Sequence, residues 1–172
     1  MIDLIKWWIF FEIIGWLLFP ICFYLFRNQF DKGFTFSKII ALLIWGYVFW
    51  IGNTFGIIGN TQAGAIFALF FVLMVSAICL AKHACPSEIY VWIKNNIKII
   101  IFTEVLFIIS ALFMMMLRVS NPEIIGTEKP MELAFINSIL KSPSFPPNDP
   151  WLSGYSISYY YFGYLIVAAI IK

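Results

Sequence analysis

The chain has 172 residues, 62% hydrophobic and 12% charged, with a net charge of +2 and a mean hydropathy of +0.92. Soluble domains lie nearer roughly half apolar and a quarter charged, and a chain this short cannot hide so much apolar surface from water. Composition therefore excludes a soluble fold, and the absence of a basic stripe excludes a nucleic-acid partner.

A bilayer core takes about 20 apolar residues in helical form. Leu4–Phe26 is the first stretch of that kind. It is too long for a signal-peptide core and has no small-x-small cleavage site, so it is expected to stay as an anchor. The connection after it carries Arg27, Lys32 and Lys38. The second segment, Ile39–Ile58, holds Gly46, Gly52 and Gly56 beside Asn53 and Thr54. The Gly52-x-x-x-Gly56 spacing predicts close helix–helix approach, with the polar pair bonding across the contact. An uncharged turn, Gly59–Gln62, leads into Ala63–Ala81, and the next connection carries Lys82, Lys94 and Lys98.

Cys79, His83 and Cys85 lie close together and raise a zinc reading. Cys79 falls inside an apolar run and no fourth ligand is near, so ordinary membrane and loop positions are expected instead. With Cys22, the three cysteines are too few and too scattered for a disulfide framework. The single His also removes most His-centred catalytic schemes.

Ile99–Leu117 is the fourth segment. It holds Glu104, as the first holds Glu12. Acids inside a span are costly and are functional candidates. Each lies within about eight residues of a span end, and snorkelling to the interface is expected of both. The positive-inside rule places residues 27–38 and 82–98 in the cytoplasm. The N-terminus, the 59–62 turn and residues 118–157 then lie outside a plasma membrane crossed several times.

Residues 118–157 hold six of the eight prolines and four of the nine acids. A loop this long without regular structure is uncommon unless it works. Pro130–Lys141 predicts a short amphipathic helix at the membrane interface, with Met131, Phe135, Ile139 and Leu140 on its apolar face. Glu128 and Glu132 lie four apart around its start, and Pro143 prevents its continuation. Ser144–Trp151 is stiff and turn-rich, and Asp149 before Pro150 is pushed from helical geometry. Tyr155 and Tyr159–Tyr161 follow at the mouth of a fifth helix that starts near Ser158. Interfacial rings form an aromatic belt, but three consecutive tyrosines spread around a helix, so one ring is expected to point inward against the outer loop. From Ser158 to Lys172, about 14 residues reach about 21 Å, short of the roughly 30 Å core. The chain is therefore expected to be the N-terminal part of a longer protein.

The expected fold is an all-α, polytopic transmembrane helix bundle of about five helices. Residues 1–117 supply four spans, 118–157 an extracytoplasmic motif loop, and 158–172 the start of a fifth span.

Four blocks carry a resemblance: Asn121-Pro122-Glu123, Gly126–Glu132, Pro146–Trp151 and Tyr159–Gly163. Together they resemble the YYY-domain membrane proteins of archaea and some bacteria, a family of unassigned function named for the tyrosine triplet. That family is similar to the class C glycosyltransferases, membrane enzymes that take sugars from polyprenyl-phosphate carriers. Those enzymes place an acid on the first large outer loop, before an interfacial helix. Their loop follows the first helix, whereas here it follows the fourth.

The resemblance implies Glu128 as general base, with Glu132 as second choice. It implies Lys129 or Arg118 on the phosphate. Asp149 would hold a divalent metal ion or a sugar hydroxyl, and Trp151, Tyr159, Tyr160 and Tyr161 would bind substrate. The implied partners are membrane lipid and a polyprenyl-phosphate sugar donor. The competing class is a non-enzymatic membrane protein, a transporter part or scaffold. Transporters place polar residues at mid-membrane on broken helices; here they concentrate on the outer loop.

Overall fold

A computed structural model describes residues 2–83, 86–126 and 128–172, without the side chains of residues 2–4 and 83. Among the described residues it forms seven helices: α1 (Ile2–Leu25), α2 (Ser37–Thr54), α3 (Gln62–His83), α4 (Pro86–Asn95), α5 (Ile97–Ser120), α6 (Glu128–Lys141) and α7 (Phe162–Ile171). Four of them, α1, α2, α3 and α5, are long and apolar enough to cross a bilayer. The chain is an all-helical, multi-pass membrane protein. It divides into two compact units, Met1–Ile40 with Val75–Glu123, and Ala41–Met74 with Ile124–Lys172.

In the first unit, α3 is tied to α1 by side chains one turn apart on α3. Ser76 Oγ donates to the Leu17 carbonyl at 2.7 Å, and the Cys79 thiol donates to the Pro20 carbonyl at 3.7 Å. Cys79 is thus engaged with α1. Cys85 and the His83 side chain, the rest of the zinc reading, lie outside the described residues.

The unit's core gathers Phe19, Cys22, Phe23, Phe34, Trp92 and Ile100. Phe34 meets Phe19 edge-on at 5.4 Å, and Trp92 lies 5.5 Å from Phe19. Trp92 comes from α4, a helix not anticipated in the 82–98 connection. Its apolar positions Ile89, Trp92 and Ile93 have helical spacing and pack on this core. Ten residues are too few for a span, so apolar length alone does not reveal it.

The connection after α1 is no free loop. Phe34 docks beside Trp16 and Phe19, so the chain folds back along α1. Asp31, 5% exposed, fixes that turn: its carboxylate accepts the Gly33 and Thr35 amides, both at 3.1 Å. Burial alone would push the Asp31 carboxyl up, but hydrogen bonds from Thr35 and Gly33 outweigh it and hold it below its ordinary value. A carboxyl lowered by folding stabilises above its unfolded pKa, about 3.9. That contribution is lost as pH falls through the folded value. Asp31→Ala is expected to reduce stability by about 1–3 kcal/mol at neutral pH, with the deficit shrinking on acidification. Thermal unfolding of both chains across pH checks this; parallel profiles would show that the carboxylate does not anchor the turn.

The fold-back also changes the expectation for the intramembrane acids. Lys38 opens α2 rather than ending a loop, and its ammonium lies 3.1 Å from Glu12 and 2.5 Å from Glu104. Both acids turn inward onto this cation, and the expected snorkelling is corrected. The lysine reaches them because the fold-back brings the start of α2 beside the middle of α1.

In the second unit, the Trp45 indole of α2 donates to the Ala65 carbonyl of α3 at 2.9 Å, and α7 packs on α6. The expected span Ile39–Ile58 ends earlier, at Thr54. The Ile57 amide bonds the Gly52 carbonyl at 2.8 Å and the Gly56 amide bonds that of Asn53 at 3.0 Å, with Gly56 at φ +68°. This is a Schellman stop, which uses glycine for its left-handed position. Gly52 and Gly56 therefore do not form one helical contact stripe. Asn53 and Thr54 bond the Phe49 and Trp50 carbonyls of their own helix, both at 2.8 Å, not a neighbour. The turn to α3 is correspondingly longer, over residues 55–61.

Candidate functional site

α6 begins at Glu128, two residues before the expected start. Pro130 remains in the first turn, where no amide partner is required, and Glu128 meets the positive end of the helix dipole. Phe135 and Ile139 are buried. The other end is held by the 55–61 turn. Asn60, buried, donates its amide to the Ile139 and Ser142 carbonyls, both at 2.6 Å. Lys172 donates to the Asn60 and Leu140 carbonyls at 2.8 and 3.3 Å.

The segment that follows is stapled to α6. Ser142 Oγ donates to the Ser138 carbonyl at 2.9 Å and accepts the Asn148 amide at 2.8 Å, and the Ser138 hydroxyl donates to the Asn148 carbonyl. The chain then doubles back: the Asp149 amide bonds the Tyr155 carbonyl at 2.8 Å and the Ile157 amide that of Pro147 at 2.9 Å. Asp149 Oδ1 accepts the Trp151 and Leu152 amides at 2.8 and 2.9 Å. This carboxylate orders the turn that carries Trp151, whose ring meets Phe135 edge-on at 5.3 Å.

Phe135 is the centre of an aromatic platform. Tyr159 and Tyr164 lie 5.5 and 5.7 Å from it, and Tyr160 stacks on Tyr159 at 3.9 Å. The Tyr159 hydroxyl donates to that of Tyr160 at 2.6 Å. This bond, then loss of water and the charge of Glu128 among others, push the Tyr159 phenol up to about 12. It stays protonated at neutral pH. The charges of Glu132 and Glu128 both act on the Tyr164 phenol. The structure therefore brings Glu128, Glu132, Trp151, Tyr159 and Tyr160 to one region.

The remaining expected residues are placed otherwise. Lys129 is half-buried on α6. Arg118 belongs to the first unit, where it donates to the Asn121 carbonyl at 3.2 Å near the end of α5. The tyrosine triplet precedes α7 rather than riding on it. The most enclosed ring, half-buried Tyr161, turns to α2, where its hydroxyl accepts the Trp50 indole N–H at 2.9 Å. Tyr159 is the ring that packs on the outer segment, yet it keeps 38% exposure.

Tyr164 and Asn60 were not singled out from sequence, and Phe135 was expected only as part of the helix's apolar face. Tyr164, one turn beyond Tyr160, carried a usable signal; Asn60 carried none. Among the described residues no three His, Cys, Asp or Glu side chains are gathered to hold a metal. Glu128 and Glu132 offer hard oxygen donors of the kind that suit a hydrated divalent ion shared with phosphate.

A family model described as "Uncharacterized membrane protein (DUF2298)" matches residues 44–172. No curated protein and no solved structure matches the chain.

Proposed function

The chain belongs to the DUF2298 family of membrane proteins, and we propose that it is a membrane glycosyltransferase of the class C type, working at the extracytoplasmic face with a polyprenyl-phosphate sugar donor. The observation that carries this reading is the meeting of two carboxylates with exposed tyrosines on α6 and the mouth of α7. A sugar ring has apolar C–H faces and a rim of hydroxyls, so it suits aromatic rings beside hydrogen-bond acceptors.

In this reading the acceptor oxygen bonds to the sugar's anomeric carbon as the bond to the donor phosphate breaks. Glu128 takes the acceptor's proton, while Glu132, whose charge acts on the Tyr164 phenol, orients the site. Tyr159 and Tyr160 cover the sugar and Trp151 borders it. Lys129 is the candidate cation on the departing phosphate. A divalent ion at Glu132 would supply further positive charge there. The test is transfer from a polyprenyl-phosphate sugar by the intact protein, with Glu128→Gln as the decisive variant.

The orientation rests on the cations. Lys38 is engaged with two acids, which leaves Arg27 and Lys32 after α1 and Lys82, Lys94 and Lys98 around α4 to hold those connections in the cytoplasm. In a chain lacking its native cysteines, Asn148→Cys is expected to react with an impermeant thiol reagent in intact cells and Asn95→Cys is not; both positions are exposed. Labelling at position 95 alone would invert the topology and remove the extracytoplasmic site.

The competing reading, a transporter part, gains one observation, the charged cluster of Glu12, Lys38 and Glu104 inside the spans.

A further inference from the structure

That cluster lies in the first unit and has no part in the proposed transfer chemistry. Lys38 starts on α2, and its stem runs along α1 at Gly15, where an added Cβ would come within 2.7 Å of Lys38 Cγ. The missing side chain at Gly15 thus opens the lane by which the lysine reaches Glu12. Its ammonium also sits over the Phe107 ring of α5, 4.6 Å from the centroid. The side chains of Lys38, Glu12 and Glu104 are only 11%, 17% and 19% exposed.

The charges do not balance. One ammonium faces two carboxyl groups, and full ionisation leaves a surplus negative charge among apolar helices. Among the described residues, the charged groups acting on Glu12 are Lys38 from α2 and Glu104 from α5. Two further observations bear on how the surplus is met. One ammonium reaches both carboxyl groups, at 3.1 and 2.5 Å, so the two acids lie close together, an arrangement that two ionised carboxylates repel and one shared proton stabilises. Glu104 Oε1 is also buried without a hydrogen-bond partner, and Glu12 Oε1, although paired in charge with Lys38, lies outside hydrogen-bond geometry. Each is an acceptor left open, and buried acceptors normally find a donor.

We propose that Glu12, Glu104 and Lys38 form a binding site for a single proton within the membrane-spanning helices, shared between the two carboxyl groups and held beside the lysine ammonium. Uptake of one proton changes the cluster from one net negative charge to neutral, and release restores it. The proton is shared, so it belongs to the dyad rather than to either acid.

Infrared spectroscopy of the intact protein in lipid nanodiscs tests this through the carbonyl stretch of protonated carboxyl groups, which shifts in heavy water. Ordinary glutamates titrate at about 4.3, so at neutral pH the native chain is expected to show a band worth one carboxyl. Glu12→Gln and Glu104→Gln should each abolish it, since the remaining acid pairs with Lys38. Both changes keep side-chain shape and remove the surplus charge, so neither threatens the fold. Lys38→Met should double the band, because neither acid then has a counter-charge; the two glutamine variants decide the question if that chain fails to fold. A native spectrum without the band overturns the proposal, as does a band that survives both glutamine substitutions. A band lost on adding sodium at constant pH would also overturn it, by making a metal cation the occupant.

Discussion

Replacing Glu128 with glutamine is expected to slow sugar transfer by about 10²–10⁴-fold, the contribution of a general base. Glutamine keeps the size and most of the hydrogen bonding but cannot accept the proton. Glu128 is exposed at the first position of α6, so the substitution removes little more than a helix-dipole interaction, about 0.3–1 kcal/mol. Protein level and donor binding should therefore persist while turnover falls. Glu132→Gln should have a smaller effect on rate, because its assigned work is to orient the site beside Tyr164 rather than to take the proton. Turnover, donor binding and expression, measured on both variants of the intact protein, separate these cases. Equal and mild losses accompanied by poor expression would point to folding. Full activity in Glu128→Gln would remove it as the base.

The largest stability effect is expected at Asn60. This residue is only 6% exposed, and its amide serves two carbonyls at the end of α6. Those acceptors fix which way the amide faces. Asn60→Ala leaves both carbonyls without that donor in a buried place, at about 1–3 kcal/mol for each. A total of about 2–6 kcal/mol is expected. Asn60→Asp should be worse, since it turns a donor into an anion facing two carbonyl oxygens. Thermal unfolding in detergent gives the loss, and hydrogen exchange should show it concentrated in α6 and the 142–148 segment. Native-like stability in the aspartate variant would show that the Asn60 amide does not hold this helix. The residue also bears on the site indirectly, because α6 carries Glu128 and Glu132 and the ring of Phe135 at the centre of the tyrosine platform.

Much of the chain's character was legible residue by residue. The four spans follow from apolar length, because a helix in lipid must satisfy its backbone internally and needs only apolar side chains to do so. α6 could be anticipated from the spacing of Phe135 and Ile139, with Pro143 beyond its end. Those signals are local, and local rules read them. Even so, the Gly56 stop was misread: glycine at four-residue spacing looks the same whether it packs a helix or ends one. The deciding bonds run from Ile57 and Gly56 back to Gly52 and Asn53.

What sequence alone determined was the solvent, the number of long apolar helices, and the concentration of acids, prolines and tyrosines after residue 118. Only tertiary structure decided the partners of the polar groups. Lys38 read as a loop charge until the fold-back after α1 placed it between Glu12 and Glu104. Asp149 reads from sequence as a candidate ligand, and the turn it orders by taking the Trp151 and Leu152 amides on Oδ1 is visible only in the fold. Asn60 carried no signal because its acceptors, the carbonyls of Ile139 and Ser142, lie some 80 positions along the chain. Apolar burial is nearly additive and shows in composition and period. A buried polar group is stable only with a specific partner at hydrogen-bond distance, and the path of the whole chain chooses that partner.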